Sequence, residues 1–184
     1  MRAWQVMELG QAPKMVQMVD PVPHQGQALI EVAACGLNHA DLLMQNGTYQ
    51  ERPPLPFIPG LEVAGQIIAL GPQTTGPAIG TRVAAFIGSG GLAQRVAVDL
   101  GRITPLPDAI DFSTAAATQI AYGTSHLALI HRAKLQAGET VLVLGAAGGV
   151  GLTAVEIAKK AGARVIASAR RAQRLAIALS LIHI

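Results

Sequence analysis

The chain has 184 residues, 51% hydrophobic and 14% charged, enough apolar material for one ordinary domain or one domain and a piece of another. A net charge of +3 is too mild to imply nucleic acid by itself, and no uncharged apolar run reaches the ~18 residues a membrane span needs. The single cysteine, Cys35, excludes an internal disulfide and a thiolate-rich zinc site, and residues 1–8 lack a secretory h-region, so a soluble, cytoplasmic chain is expected.

In chain order, residues 27–33 alternate as a strand does, and 62–70 and 82–87 read as further short apolar strands. Gly and Pro separate them, most densely at 52–60 and 70–77, which predicts a small β-barrel. Between the first two strands, residues 40–45 predict a helical turn opened near Asn38. After Asp111 the pattern changes: residues 111–129 are Ala-rich and predict one helix with Ser113 as its N-cap.

The most informative segment follows. Residues 140–144 predict a buried strand, 145–151 (Gly-Ala-Ala-Gly-Gly-Val-Gly) a glycine turn, 152–160 an amphipathic helix and 164–169 a second buried strand. That is the first half of a dinucleotide-binding βαβ unit, with the pattern A-x-G-x-x-G in place of the strict G-x-G-x-x-G. Small residues at Ala147 and Gly148 admit a pyrophosphate to the backbone, and Gly151 lets the helix pack close to the strand. With Gly149 and Val150 they place a helix N-terminus and its amide donors at the phosphates. The alternative is a glycine loop that binds no nucleotide. At the end of the second strand stand Ser168, Arg170 and Arg171, and no acidic residue follows Glu156. An NAD enzyme needs a carboxylate there for the ribose hydroxyls; a hydroxyl and two guanidinium forks suit the extra phosphate of NADPH. Two solvated arginines at a helix start are the alternative. The expected fold class is therefore α/β plus β: a β-barrel domain, then the first part of a doubly wound parallel sheet.

Several ordered stretches carry a resemblance: 34–41 (Ala-Cys-Gly-Leu-Asn-His-Ala-Asp), 47–49 (Gly-Thr-Tyr), 55–65, 80–83, 122–124 and 138–151. Over residues 1 to about 179 the chain resembles zinc-independent medium-chain dehydrogenases/reductases of the NADPH:quinone oxidoreductase type, the ζ-crystallin-like branch. The resemblance implies a GroES-like substrate domain over 1–112 and a partial Rossmann NADP-binding domain over 113–179, with the active site in the cleft between such domains. It places Asn38 and Tyr49 at the nicotinamide and substrate end, as groups that hydrogen-bond the acceptor; an Asx-turn residue and a loop aromatic are the respective alternatives. In zinc-dependent relatives, ligands occupy the places that here hold Asn38, Leu61 and Ala116, and the last two offer no donor.

The implied activity is hydride transfer from NADPH to a quinone or similar conjugated carbonyl, which needs less electrophilic help than a simple aldehyde. An enoyl or alkenal reductase, and a non-catalytic NADPH-binding or crystallin-like structural protein, are the other readings. The implied partners are a small quinone or enone and a second copy or more in a homodimer or homotetramer, with no nucleic acid and no membrane. Family members are roughly twice as long. Residues 180–184 depart from the family pattern and read as a foreign tail on a truncated chain, so the 184-residue piece alone is expected to be inactive and prone to aggregate.

Overall fold

The computed structural model describes residues 1–182; residues 183 and 184, the end of the expected foreign tail, lie outside the described residues. The chain divides into two compact units, Met1–Gln119 and Ile120–Ile184. The expected division at 112/113 differs from this one by a short helix that packs on the first unit.

In the first unit, β1 (Arg2–Gln5) and β2 (Lys14–Gln17) pair as an antiparallel ribbon. Five further strands follow: β3 (Gln27–Gly36), β4 (Glu62–Leu70), β5 (Arg82–Phe86), β6 (Arg95–Asp99) and β7 (Ile103–Pro105). They form one antiparallel sheet in the order β6-β3-β4-β5-β7. Helix α1 (His39–Gln45) lies between β3 and β4, and α2 (Phe112–Ala116) follows β7. Alternation along the strands sends Ala28, Ile30, Val63, Ile67, Val83, Ala85 and Val98 to one buried face. Each fully buried Ile or Val there contributes about 1.5–3 kcal/mol of transfer free energy. The opposite face of β4 and β5 carries Ala64 and Ala84, small enough for α2 to seat Ala115 and Ala116 against them. The ribbon joins this body through reciprocal Val6 and Phe57 backbone hydrogen bonds and one from Trp4 N–H to the Leu92 carbonyl.

β1, β2, β6 and β7 are absent from the sequence expectation. Each has only three to five residues, too few for alternation to show against the surrounding turns.

The second unit opens with α3 (Ala121–His126), which continues as a π-helical turn, Leu127–Arg132. The single helix expected over 111–129 is therefore broken. Asp111, not Ser113, caps α2, because its carboxylate takes both the Thr114 N–H at 2.8 Å and the Thr114 hydroxyl at 2.7 Å. At the other end the Thr118 hydroxyl and N–H both turn back to the Ala115 carbonyl, which closes the helix. Then come β8 (Thr140–Leu144), α4 (Gly149–Lys160), β9 (Arg164–Ser168) and α5 (Ala172–Ile182). β8 and β9 pair in parallel, Thr140 opposite Arg164 through Leu144 opposite Ser168. Val143, Ala146, Val155 and Ala178 form the core, with Val141, Val165, Ala167 and Leu181 around it. Leu142, Leu144 and Ile166 on the opposite face are exposed, the apolar exposure expected of the 184-residue piece. α5 runs past the expected end at residue 179, carrying Leu181 against the core. No helix among the described residues is long and apolar enough to cross a membrane.

Candidate functional site

In the first unit the chemistry gathers where β3 runs into α1. Asn38 is the N-cap of α1, in extended backbone, and forms a capping box with Asp41 three residues on. The Asn38 N–H donates to Asp41 Oδ2 at 2.8 Å, and the Gly60 N–H donates to Asp41 Oδ1 at 2.8 Å. Gly60 holds φ +101°, and a Cβ there would lie 2.8 Å from Cys35 Sγ and from Gly91 Cα, so only glycine brings this loop to Asp41. Asn38 Nδ2 donates to Glu62 Oε1 at 2.8 Å. Glu62 is 2% exposed. Burial, and then the charges of Asp41 and Glu62, push the half-buried Cys35 thiol up to about 12, which favours the protonated thiol over the thiolate.

Of the three places that the resemblance matches to zinc ligands in zinc-dependent relatives, Asn38 bonds Glu62 and Ala116 lies beside Gly36. A Cβ on Gly36 would meet both Glu62 Oε1 and the Ala116 carbonyl at 2.4 Å, and Leu61 beside Glu62 is buried. An asparagine–glutamate hydrogen bond and two apolar side chains fill them. Among the described residues no three His, Cys, Asp or Glu side chains gather as a metal site.

Asp41, 7% exposed, has its carboxyl held above the usual carboxylate range by burial, against the pull of the Asn38 and Gly60 N–H groups. The folded state thus binds this proton more tightly than the unfolded chain does. Its contribution to stability is full below the unfolded value and is lost as pH rises through the elevated folded value. Asp41→Asn is expected to flatten that decline in urea midpoints measured from about pH 4 to about pH 7. An equally steep decline in both proteins would rule out Asp41 as its source.

Asn38, with His39, Asp41 and Gln45, lines a pocket of about 500 Å3 closed by Leu37, Leu42, Pro59 and Leu92. Tyr49 does not line it. That residue is half-buried in the loop after α1, with its N–H on the Leu43 carbonyl and its carbonyl accepting from Arg52 Nε.

In the second unit β8 ends in the glycine turn. The Ala146 N–H donates to the Ser168 carbonyl at 2.9 Å, tying the turn to the end of β9, and Gly148 is the N-cap of α4. Gly149, Val150 and Gly151 form the first turn of that helix, whose N–H groups have no partner within the helix. A Cβ on Gly151 would lie 2.3 Å from the Gly145 carbonyl oxygen and 2.8 Å from Ala146 Cα; one on Gly149 would meet nothing within 4 Å. Gly145, Ala147 and Gly148 line a pocket of about 330 Å3 together with Ala169, Arg170, Arg171 and Arg174. Glycine turn, helix N-terminus and three guanidinium groups thus share one cavity, an arrangement that attracts a polyanion. Ser168 is exposed and contributes its carbonyl to the turn, but it does not line this cavity.

Asp41, Glu62 and Arg174 stand at the two candidate sites and were not expected there from the sequence. The spacing Asn-x-x-Asp before a helix signals the first, and an isolated Glu inside an apolar strand signals the second. Arg174 needed the observation that α5 begins at Ala172, which puts it in the first helical turn, just after Arg170 and Arg171.

Residues 24–108 match the alcohol dehydrogenase GroES-like domain. The quinone oxidoreductase of Pongo abelii is 41% identical over 174 residues, 92% of this chain and 53% of its own length. The solved quinone oxidoreductase of Thermus thermophilus, described also in complex with NADPH, is 40% identical with TM-score 0.88, covering 98% of this chain and 57% of its own. The CurK enoyl reductase is 31% identical with TM-score 0.88, covering 98% and 57%. The chain spans about half the length of the curated relatives it matches.

Proposed function

We propose that this chain, which belongs to the medium-chain dehydrogenase/reductase family, is part of a zinc-independent oxidoreductase that binds NADPH and reduces a quinone or similar conjugated carbonyl. The single observation that carries the reading is the cavity shared by Gly148 at the N-terminus of α4 with Arg170, Arg171 and Arg174. Residues Ala147 to Gly151 would hold the pyrophosphate through backbone N–H groups, and the three arginines the additional phosphate. Bound there, NADPH supplies a hydride at nicotinamide C4. Asn38 keeps one carboxamide N–H beyond the one given to Glu62, and Tyr49 has a phenol donor; both would hydrogen-bond the acceptor carbonyl. Support for Asn38 is its place on the pocket wall, and for Tyr49 it is the resemblance alone.

Titration of the 184-residue chain with NADPH and with NADH tests the reading. Saturable binding of NADPH, tighter than that of NADH, is expected; no binding of either would overturn it. Metal analysis of chain purified without a histidine tag is expected to find far less than one zinc per chain, because Leu61 and Ala116 offer no donor. About one zinc per chain, removable by EDTA, would overturn the zinc-independent part. The likeness to an enoyl reductase favours one second reading, reduction of an enoyl thioester by the same cofactor. Rates with 1,4-benzoquinone and crotonyl thioester, in a protein of the relatives' full length, separate the two.

A further inference from the structure

A pair of buried hydroxyls lies directly beneath the glycine turn. Ser125 on α3 is 2% exposed and Thr153 on α4 is 7% exposed. Ser125 Oγ and Thr153 Oγ1 lie 2.8 Å apart. Ser125 Oγ is 2.8 Å from the Val150 carbonyl oxygen, and Thr153 Oγ1 is 2.9 Å from both the Val150 and the Ala121 carbonyl oxygens. Two hydroxyl protons therefore serve four short contacts, and the pair works as a unit. On the outer edge of the same helix pair, the Tyr122 hydroxyl donates to Glu156, which also pairs with Lys160 at 2.9 Å.

Val150 is the second residue of α4, flanked by Gly149 and Gly151. Three glycines in the four residues 148–151 leave this backbone with more freedom than any other segment of the helix. Its amides can bind an anion tightly only if that freedom is removed beforehand. The hydroxyl pair takes hold of the one carbonyl at the centre of the turn and ties it to Ala121 of α3.

We propose that Ser125 and Thr153 are positioning residues for the phosphate-binding turn: they lock the Val150 peptide so that the N–H groups of Gly149–Gly151 stand ready for the NADPH pyrophosphate. The inference rests on the reading that this turn binds NADPH. Neither residue touches the cofactor; they act through Val150.

The test compares the 184-residue chain with Ser125→Ala, Thr153→Ala and Thr153→Ser, reading NADPH affinity, thermal midpoint, and amide hydrogen exchange at Gly149, Val150 and Gly151. Each alanine variant is expected to bind NADPH about fivefold to tenfold more weakly and to exchange those three amides faster, while Thr153→Ser restores both. A lowered midpoint with unchanged affinity and unchanged exchange at 149–151 would mean that the hydroxyls only hold two helices together, and would overturn the inference. If the unaltered chain fails to bind NADPH, the cofactor reading fails and exchange alone decides this one. Faster exchange in the alanine variants then still supports the lock, and equal exchange overturns it. Should Thr153→Ala not fold, Ser125→Ala carries the same comparison.

Discussion

Replacing Gly151 with alanine should cost the second unit about 1–3 kcal/mol or more of stability and abolish measurable NADPH binding. The added Cβ would sit 2.3 Å from the Gly145 carbonyl oxygen and 2.8 Å from Ala146 Cα, both backbone atoms that no rotamer change can move aside. The helix must therefore retreat from the end of β8. That retreat pulls on the Ala146 N–H to Ser168 carbonyl bond and moves every amide of the first turn. Gly149→Ala is the matched control. A Cβ there meets nothing within 4 Å, and alanine in a helical turn is expected to raise stability by about 0.4–1 kcal/mol. The melting midpoint should therefore rise in Gly149→Ala and fall in Gly151→Ala. Denaturation of the two variants reads this split, and cofactor titration of Gly151→Ala reads the loss of binding. Equal stability of Gly151→Ala and the unaltered chain would show that the turn has room the structure does not give it.

Changing Arg170 and Arg171 together to alanine should weaken NADPH at least about tenfold while moving NADH less than about twofold. The two cofactors differ only in the phosphate on the adenosine ribose. Arg170, Arg171 and Arg174 line the cavity at the turn, and no carboxylate follows Glu156 to repel that phosphate. All three arginines are exposed, so each pair is screened by solvent and only their convergence gives a sizeable effect. The NADPH affinity of the unaltered chain should accordingly fall with added salt more steeply than that of the double variant. Adding Arg174→Ala should reduce NADPH affinity further. Equal weakening of both cofactors would make the arginines supports of the fold around Ala169, with no part in discriminating the phosphate.

β4, Glu62–Leu70, and β8, Thr140–Leu144, were legible in the sequence to the residue, since each is an apolar run bounded by glycine or proline. The helix after the glycine turn was legible too, and so were the arginines at the end of β9. Such features are local: a strand, a turn and a helix in series declare themselves through period and punctuation within about ten residues. The broken helix after Asp111 was not, because alanine favours helix everywhere and the hydroxyl turn at Thr118 that stops it is a weak signal.

The amino-acid sequence by itself determined the two-part organisation, the glycine turn between β8 and α4, and the absence of donors at Leu61 and Ala116. Tertiary structure decided what surrounds those groups. Asn38 meets Glu62 across 24 positions, Asp41 meets Gly60 across 19, and Thr153 meets the Ala121 carbonyl across 32. Nothing in local propensity encodes such a meeting. Each exists because buried polar groups must find partners once packing has excluded water, and only the folded chain says which partners are in reach.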